Sequence, residues 1–208
     1  MSLFITFEGC EGSGKSYQSK TLHNKLQKLA VPSILIHEPG STPLGEKITR
    51  LLKWAQETDI SPLTELLLFN ASRSQLITEV IQPALDSNEI VICDRYTDST
   101  VVYQGYGRGL DMKIVKNINY TGAHGLKPDL TILLDIMPDH GLARKSSEKN
   151  DRFENEDIAF HWRVKQGYLE LAAAEPHRWL VIDGTQSKKM VASIIWKKIS
   201  SLLSQKEN

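Results

Sequence analysis

Residues Gly9-Cys10-Glu11-Gly12-Ser13-Gly14-Lys15-Ser16 read G-x-x-x-x-G-K-[ST], and no other stretch of the chain narrows its possible folds as much. An apolar run, Leu3-Phe4-Ile5-Thr6-Phe7, precedes them. A helical pattern with Leu22, Leu26 and Leu29 on one face follows. Strand, glycine-rich turn and helix in that order make a phosphate cradle. The glycines allow successive N–H groups to turn inward, and the helix N-terminus adds the positive end of its dipole. Lys15 is placed to reach the outer phosphates of a nucleotide, and the Ser16 hydroxyl to ligate Mg²⁺. All eight residues, Gly9, Cys10, Glu11, Gly12, Ser13, Gly14, Lys15 and Ser16, are therefore candidate nucleotide contacts.

The rest of the chain suits such a loop. With 208 residues the length matches one domain spanning 1–208. Lysine plus arginine and aspartate plus glutamate both total 25, so the formal charge is zero. That balance argues against a nucleic-acid coat or a polybasic membrane binder, but leaves room for a local cluster of cations around a small anion. Two cysteines, Cys10 and Cys93, are too few for a disulfide framework. No secretory signal or membrane-length apolar run is visible, which gives a cytoplasmic expectation.

Strand-like and helix-like segments alternate. Ser33–His37, Glu89–Asp94, Asp129–Asp135 and Trp179–Asp183 are short, apolar and continuous. Thr42-Pro43 and Ser61-Pro62 are helix starts with proline in the first turn. Leu44, Ile48, Leu51 and Leu52 continue the first of these helices. The second reaches about Asp86, with Pro83 expected to kink or end it. Met190 to Leu203 reads as an amphipathic helix that frays at Ser204–Asn208. Continuous apolar strands between helices indicate a doubly wound α/β fold, a five-stranded parallel sheet covered by helices on both faces. Glu38, Asp94, Asp135 and the phosphate loop all lie just past strand ends, where such sheets bind ligands.

A phosphate loop alone says only that a nucleotide binds. The N-K-x-D segment of guanine-reading switches is absent. A kinase of small substrates needs a second anion site with arginines to grip the acceptor. Residues 94–109, Asp-Arg-Tyr-Thr-Asp-Ser-Thr-Val-Val-Tyr-Gln-Gly-Tyr-Gly-Arg-Gly, supply such a half-site. Here the chain resembles the thymidylate kinase family, nearly end to end. The resemblance rests on Phe7-Glu8-Gly9, Glu38-Pro39-Gly40-Ser41-Thr42, the helix bearing Arg73, Asp94-Arg95-Tyr96, Tyr103-Gln104-Gly105, Arg108-Gly109, Pro128-Asp129-Leu130 and Asp151-Arg152-Phe153-Glu154.

That resemblance implies ATP-dependent phosphorylation of dTMP, Mg²⁺ as cofactor, a homodimer, and no nucleic-acid or membrane partner. It implies that Arg95 and Arg50 hold the dTMP phosphate. Asp94 positions Mg²⁺ or its waters, or polarises the acceptor phosphate. Phe69 stacks on thymine, with Arg73 one helical turn away on its carbonyl edge. Gln104 meets the imide edge, and Ser99 or Thr100 helps at the base. Tyr103 stands against C2′ of the sugar, and Glu11 meets the 3′-hydroxyl. Residues 141–152 match a mobile lid whose cations arrive on closure. With no arginine in the phosphate loop, the catalytic cation is expected from the lid, Arg152 first and Lys149 second, with Arg144 against adenine. Ser146-Ser147-Glu148-Lys149 departs from the arginine-rich run of bacterial relatives. The remaining alternatives are a kinase of another nucleoside monophosphate or deoxynucleoside, and a non-enzymatic nucleotide switch.

Overall fold

The computed structural model describes residues 2–54, 59–145 and 151–206. Five strands form its centre: β1 (Leu3–Glu8), β2 (Ser33–His37), β3 (Ile90–Asp94), β4 (Leu130–Asp135) and β5 (Trp179–Asp183). They make one sheet in the order β2-β3-β1-β4-β5, and every pairing is parallel. Phe7 and His37 both lie opposite Asp94, while Glu8 lies opposite Leu133, so the carboxyl ends finish close together. The strand order reverses around β1, and the phosphate loop leaves the sheet there.

Side-chain parity explains why these runs carry no alternation. Leu3, Ile5 and Phe7 of β1 pack with Ile90, Ile92, Ile132 and Leu134 under α1 (Lys15–Lys28) and α9 (Lys188–Lys206). Phe4, Val91 and Cys93 face the other way, onto Leu76, Ile77 and Ile81. Both sheet faces are covered, so both parities must be apolar. A third cluster joins Leu133 to Val102, Tyr103, Phe160, Val164 and Tyr168, which carries the core to the edge of the cleft.

Both proline-led helices form, as α2 (Pro43–Trp54) and α3 (Pro62–Leu76). The Thr42 hydroxyl accepts from the Gly45 N–H at 2.9 Å, and Ser61 caps α3 through the Thr64 N–H. Pro83 does not end the second helix. A π-helical stretch, Ile77–Ile81, leads directly into α4 (Gln82–Asp86). The wider turn makes room for a ring that cannot donate and would collide with the carbonyl four residues back. Leu29 is not on the buried face: α1 ends at Lys28, and Leu29 is 53% exposed. Leu44 and Leu51 also stay outside, while Ile48 and Leu52 are buried. The last helix does not fray at Ser204 but continues to Lys206.

The remaining helices are α5 (Thr97–Thr100), which continues as a π-helical stretch Val101–Gly107, then α6 (Met112–Gly122), α7 (Pro138–Lys145) and α8 (Ile158–Ala174). Asp111 caps α6 and Asp157 caps α8, each accepting N–H groups of the first turn. Among the described residues, no helix is long and apolar enough to cross a membrane.

Candidate active site

A cleft of about 650 Å³ opens at the carboxyl ends of the strands. On one side lies the phosphate loop. Gly9, Gly12 and Gly14 have φ of 138°, 66° and 95°, values that favour glycine. The loop is also crowded by backbone. A Cβ on Gly12 would come within 2.0 Å of the Gly141 oxygen, and one on Gly141 within 2.2 Å of the Glu11 oxygen. Thus α7, the start of the expected lid, rests directly on the loop. Lys15 is buried, and its ammonium donates to the carbonyls of Gly9 and Cys10 at 2.9 and 2.8 Å. Burial, with Arg95 nearby, lowers its pKa to about 8. The Cys10 thiol is pushed up to about 12, chiefly by burial, so it is an inert packing group. Ser16 donates to the Asp94 carboxylate at 2.5 Å, which brings the two expected Mg²⁺-side residues together.

Asp94 ends β3, and Arg95 follows with φ 69°, a left-handed turn rare outside glycine. This turn directs the guanidinium back across the loop. It donates to the Gly9 carbonyl and to the hydroxyls of Ser99 and Tyr168, each at 3.2 Å, and pairs with Glu11 at 2.9 Å. Tyr103 also donates to Glu11, and His161 Nδ1 lies 3.5 Å from its other oxygen. Burial opposes the charge on Glu11, but Arg95 and the contact with His161 outweigh it. They hold the carboxyl well below the usual carboxylate range. Glu11, Arg95 and Tyr103 therefore form one fixed group in the cleft wall.

Phe69, Arg73 and Gln104 line the inner end. Phe69 packs against Phe153 with ring centroids 5.7 Å apart. Arg73 is the largest fully buried side chain. It donates to Glu38 and Thr100 at 2.8 Å, to Asn70 at 3.2 Å, and to Asn119. These contacts use four of a guanidinium's five N–H groups. Gln104 Nε2 donates to Glu65 at 2.7 Å. Ser99 lines the cleft, but its hydroxyl donates away from it, to Glu8 at 2.6 Å.

Two expected cations are not brought to the cleft. Arg50 is exposed on α2, and the residues of that helix which line the cleft are Thr49 and Lys53. Arg152 does not line the cleft, and has Nε on the Leu52 carbonyl at 3.0 Å and Nη2 on Glu65. The buried Glu65 carboxylate draws it there: a charge removed from water must be paired, and Arg108 supplies its second guanidinium. Lys149 lies outside the described residues. Arg144 reaches the cleft from α7 and donates to the carbonyls of Gly12 and Gly184 at 3.3 and 3.4 Å. Lys145, next to it, pairs with Glu154.

Several residues of the site were not assigned from sequence. Glu8 ends β1 fully buried and accepts from the Tyr96 and Ser99 N–H groups and from the Ser99 and Tyr168 hydroxyls. A carboxylate closing an otherwise apolar strand was its available signal. His161 and Tyr168 are seven apart on α8, two turns along one buried face, a spacing visible only once that helix is recognised. Lys53 and Asp151 face each other at 3.6 Å across the cleft wall.

Comparison with known proteins supplies the family and the fold. The family model described as thymidylate kinase matches residues 7–195. The thymidylate kinase of Dehalococcoides mccartyi (strain ATCC BAA-2266 / KCTC 15142 / 195) is 56% identical over 203 residues, 98% of each chain. That of Syntrophotalea carbinolica is 44% identical over 210 residues, covering 98% of this chain and 97% of its own. The crystal structure of thymidylate kinase from Ehrlichia chaffeensis superposes with a TM-score of 0.77 at 36% identity, covering 95% of this chain and 98% of that one.

Proposed function

The chain belongs to the thymidylate kinase family, and from that premise we propose how its residues divide the work of phosphorylating dTMP to dTDP with ATP. The observation that carries the reading is the joining of two half-sites. Glu11 of the phosphate loop is ion-paired to Arg95 of the acceptor segment, so donor and acceptor ends meet at one fixed point. The alternatives, another monophosphate or deoxynucleoside kinase or a passive switch, have no observation in their favour.

ATP lies along the loop with its outer phosphates at Lys15. The ammonium, which satisfies itself on loop carbonyls, exchanges them for phosphate oxygens. Arg95 presents its fork to the dTMP phosphate, and Lys53 rather than Arg50 is the α2 cation on that side. Phe69 faces the thymine ring. The fifth N–H of Arg73 is directed to a thymine carbonyl, and the Gln104 amide to the imide edge. Tyr103 and Glu11 hold the deoxyribose. The accepting oxygen belongs to a phosphate that is already ionised, so no strong general base is needed. Catalysis comes from alignment, charge neutralisation and exclusion of water. Arg144 and Lys145 flank the cleft as the described lid cations, while Arg152 anchors the base of the lid on Glu65.

Mg²⁺ fits the donor set. Among the described residues no cluster of three acidic, histidine or cysteine ligands forms a cage. One hydroxyl beside one carboxylate, Ser16 and Asp94, suits an ion that keeps its waters and binds substrate phosphates. When bound, it would neutralise charge on the transferring group. The two free, buried cysteines are compatible with a reducing cytoplasm. We read 1–208 as one kinase unit.

An ADP-release assay with dTMP, dUMP, TMP, CMP, AMP and GMP tests the reading. dTMP should be fastest, with dUMP slower by roughly 10–200-fold, since one methyl group separates them. Faster turnover of CMP or AMP would overturn it.

A further inference from the structure

We propose that Glu65 sets the base preference of this kinase by fixing the amide of Gln104, so that the oxygen end of the amide is what the pyrimidine meets. The inference rests on the reading that Gln104 faces the base.

Glu65 is fully buried on α3, and Gln104 is 1% exposed at the inner end of the cleft. The two ends of an amide have nearly the same shape, so its orientation is decided by its partners. Glu65, ion-paired to Arg108 and Arg152, offers only acceptors. Gln104 must therefore turn its nitrogen toward Glu65, and it does so at 2.7 Å. The carboxylate has no freedom to move away. Oε1 receives Gln104 and Arg108 Nε, and Oε2 receives Arg108 Nη2 and Arg152, four donors for about four lone-pair sites. The cations are held in turn. Arg108 lies over the Phe160 ring at 4.9 Å and pairs with Glu156, and Arg152 lies over Phe153.

The consequence is chemical. Thymine and uracil carry a hydrogen on N3 and donate to an amide oxygen. Cytosine carries a lone pair there and would be repelled. An amide free to flip could serve either base; one locked by a carboxylate serves only the first. Glu65 touches no substrate, so it is a positioning residue.

The test measures kcat/KM for dTMP, dUMP and dCMP in the intact enzyme and in Glu65→Gln, Glu65→Asp and Gln104→Leu. Where dCMP turnover is too slow, calorimetric affinities give the same ratio. A glutamine at 65 can both donate and accept, which frees the Gln104 amide to flip. Glu65→Gln should lower the dTMP-to-dCMP ratio by about tenfold, the scale of one mispaired buried polar group. The dTMP-to-dUMP ratio should stay unchanged, because both bases donate at N3; general loosening of the pocket would move both ratios. In a Gln104→Leu background Glu65→Gln should add nothing. If Glu65→Gln does not fold, Glu65→Asp keeps the arginine pairing with a shorter reach and should show the same selective drop. An unchanged dTMP-to-dCMP ratio in the folded Glu65 variant overturns the proposal, as does an equal drop without Gln104. If Gln104→Leu alone leaves that ratio at its original value, the role of Gln104 at the base fails, and this proposal with it.

Discussion

Lys15 shows how a single residue's chemistry is set by where the chain places it. A lysine in a phosphate loop is legible from sequence; its state before nucleotide binds is not. Burial lowers its pKa to about 8, so near that pH a fraction of the free enzyme carries a neutral amine. The phosphates of ATP favour the ammonium, so binding at pH 8 to 9 must take up a proton, and nucleotide affinity should fall as pH rises through 8. Calorimetry of ADP binding in buffers of different ionisation enthalpy should register that uptake. In Lys15→Ala the uptake should vanish and kcat should drop by about 10²–10³-fold or more, with the thermal transition little changed. Uptake that persists in the variant would show that another group titrates. Glu11 makes the same point with the opposite sign. Its place in the motif was readable, but its partners come from two distant parts of the chain, Arg95 and Tyr103 from the segment after β3 and His161 from α8. Arg50 and Arg152 were legible as cations, yet Arg50 stays exposed and Arg152 is taken by Glu65, a carboxylate the sequence gives no reason to single out.

Among elements, the contact between the phosphate loop and α7 is backbone against backbone. Gly12 and Gly141 leave no room for a Cβ between the phosphate loop and α7. Gly141→Ala sets two effects against each other. Alanine favours the helix by up to about 1 kcal/mol, whereas overlap with a carbonyl in a packed contact costs about 1–3 kcal/mol. The overlap should win, because the Glu11 oxygen belongs to a loop that cannot retreat without losing its phosphate-binding shape. The variant should melt a few degrees lower, at about 2–4 °C per kcal/mol for a chain of this size. Its KM for ATP should rise more than its KM for dTMP. Unchanged melting and KM would mean that α7 does not rest on the loop. Strands and proline-led helices were legible because their signals are local. The π-helical stretch before Pro83 was not, since the sequence shows the breaker and the fold shows the accommodation.

At the level of the whole molecule, large apolar side chains remain outside on three helices that pack side by side, α2 on α3 and α3 on α6. They include Leu44, Leu51, Leu63, Leu67 and Ile114. Leu63 and Leu67 are one turn apart and point the same way. A homodimer through this face would cover them, and a stable one needs about 800 Å² from each partner. Sedimentation should give twice the chain mass, and Leu67→Glu should shift it to the monomer with the cleft intact. A wild-type monomer well above micromolar concentration would sink the idea. What the sequence determined alone follows from short-range chemistry. The loop with its flanking strand and helix, and the five short apolar strands, follow from neighbouring residues. The tertiary structure decided which charges meet. Pairing of Glu11 with Arg95, Glu65 with Arg108 and Arg152, and Glu38 with Arg73 depends on burial, where an ion must find its counter-ion wherever the fold brings one. Sequence distance carries no record of that.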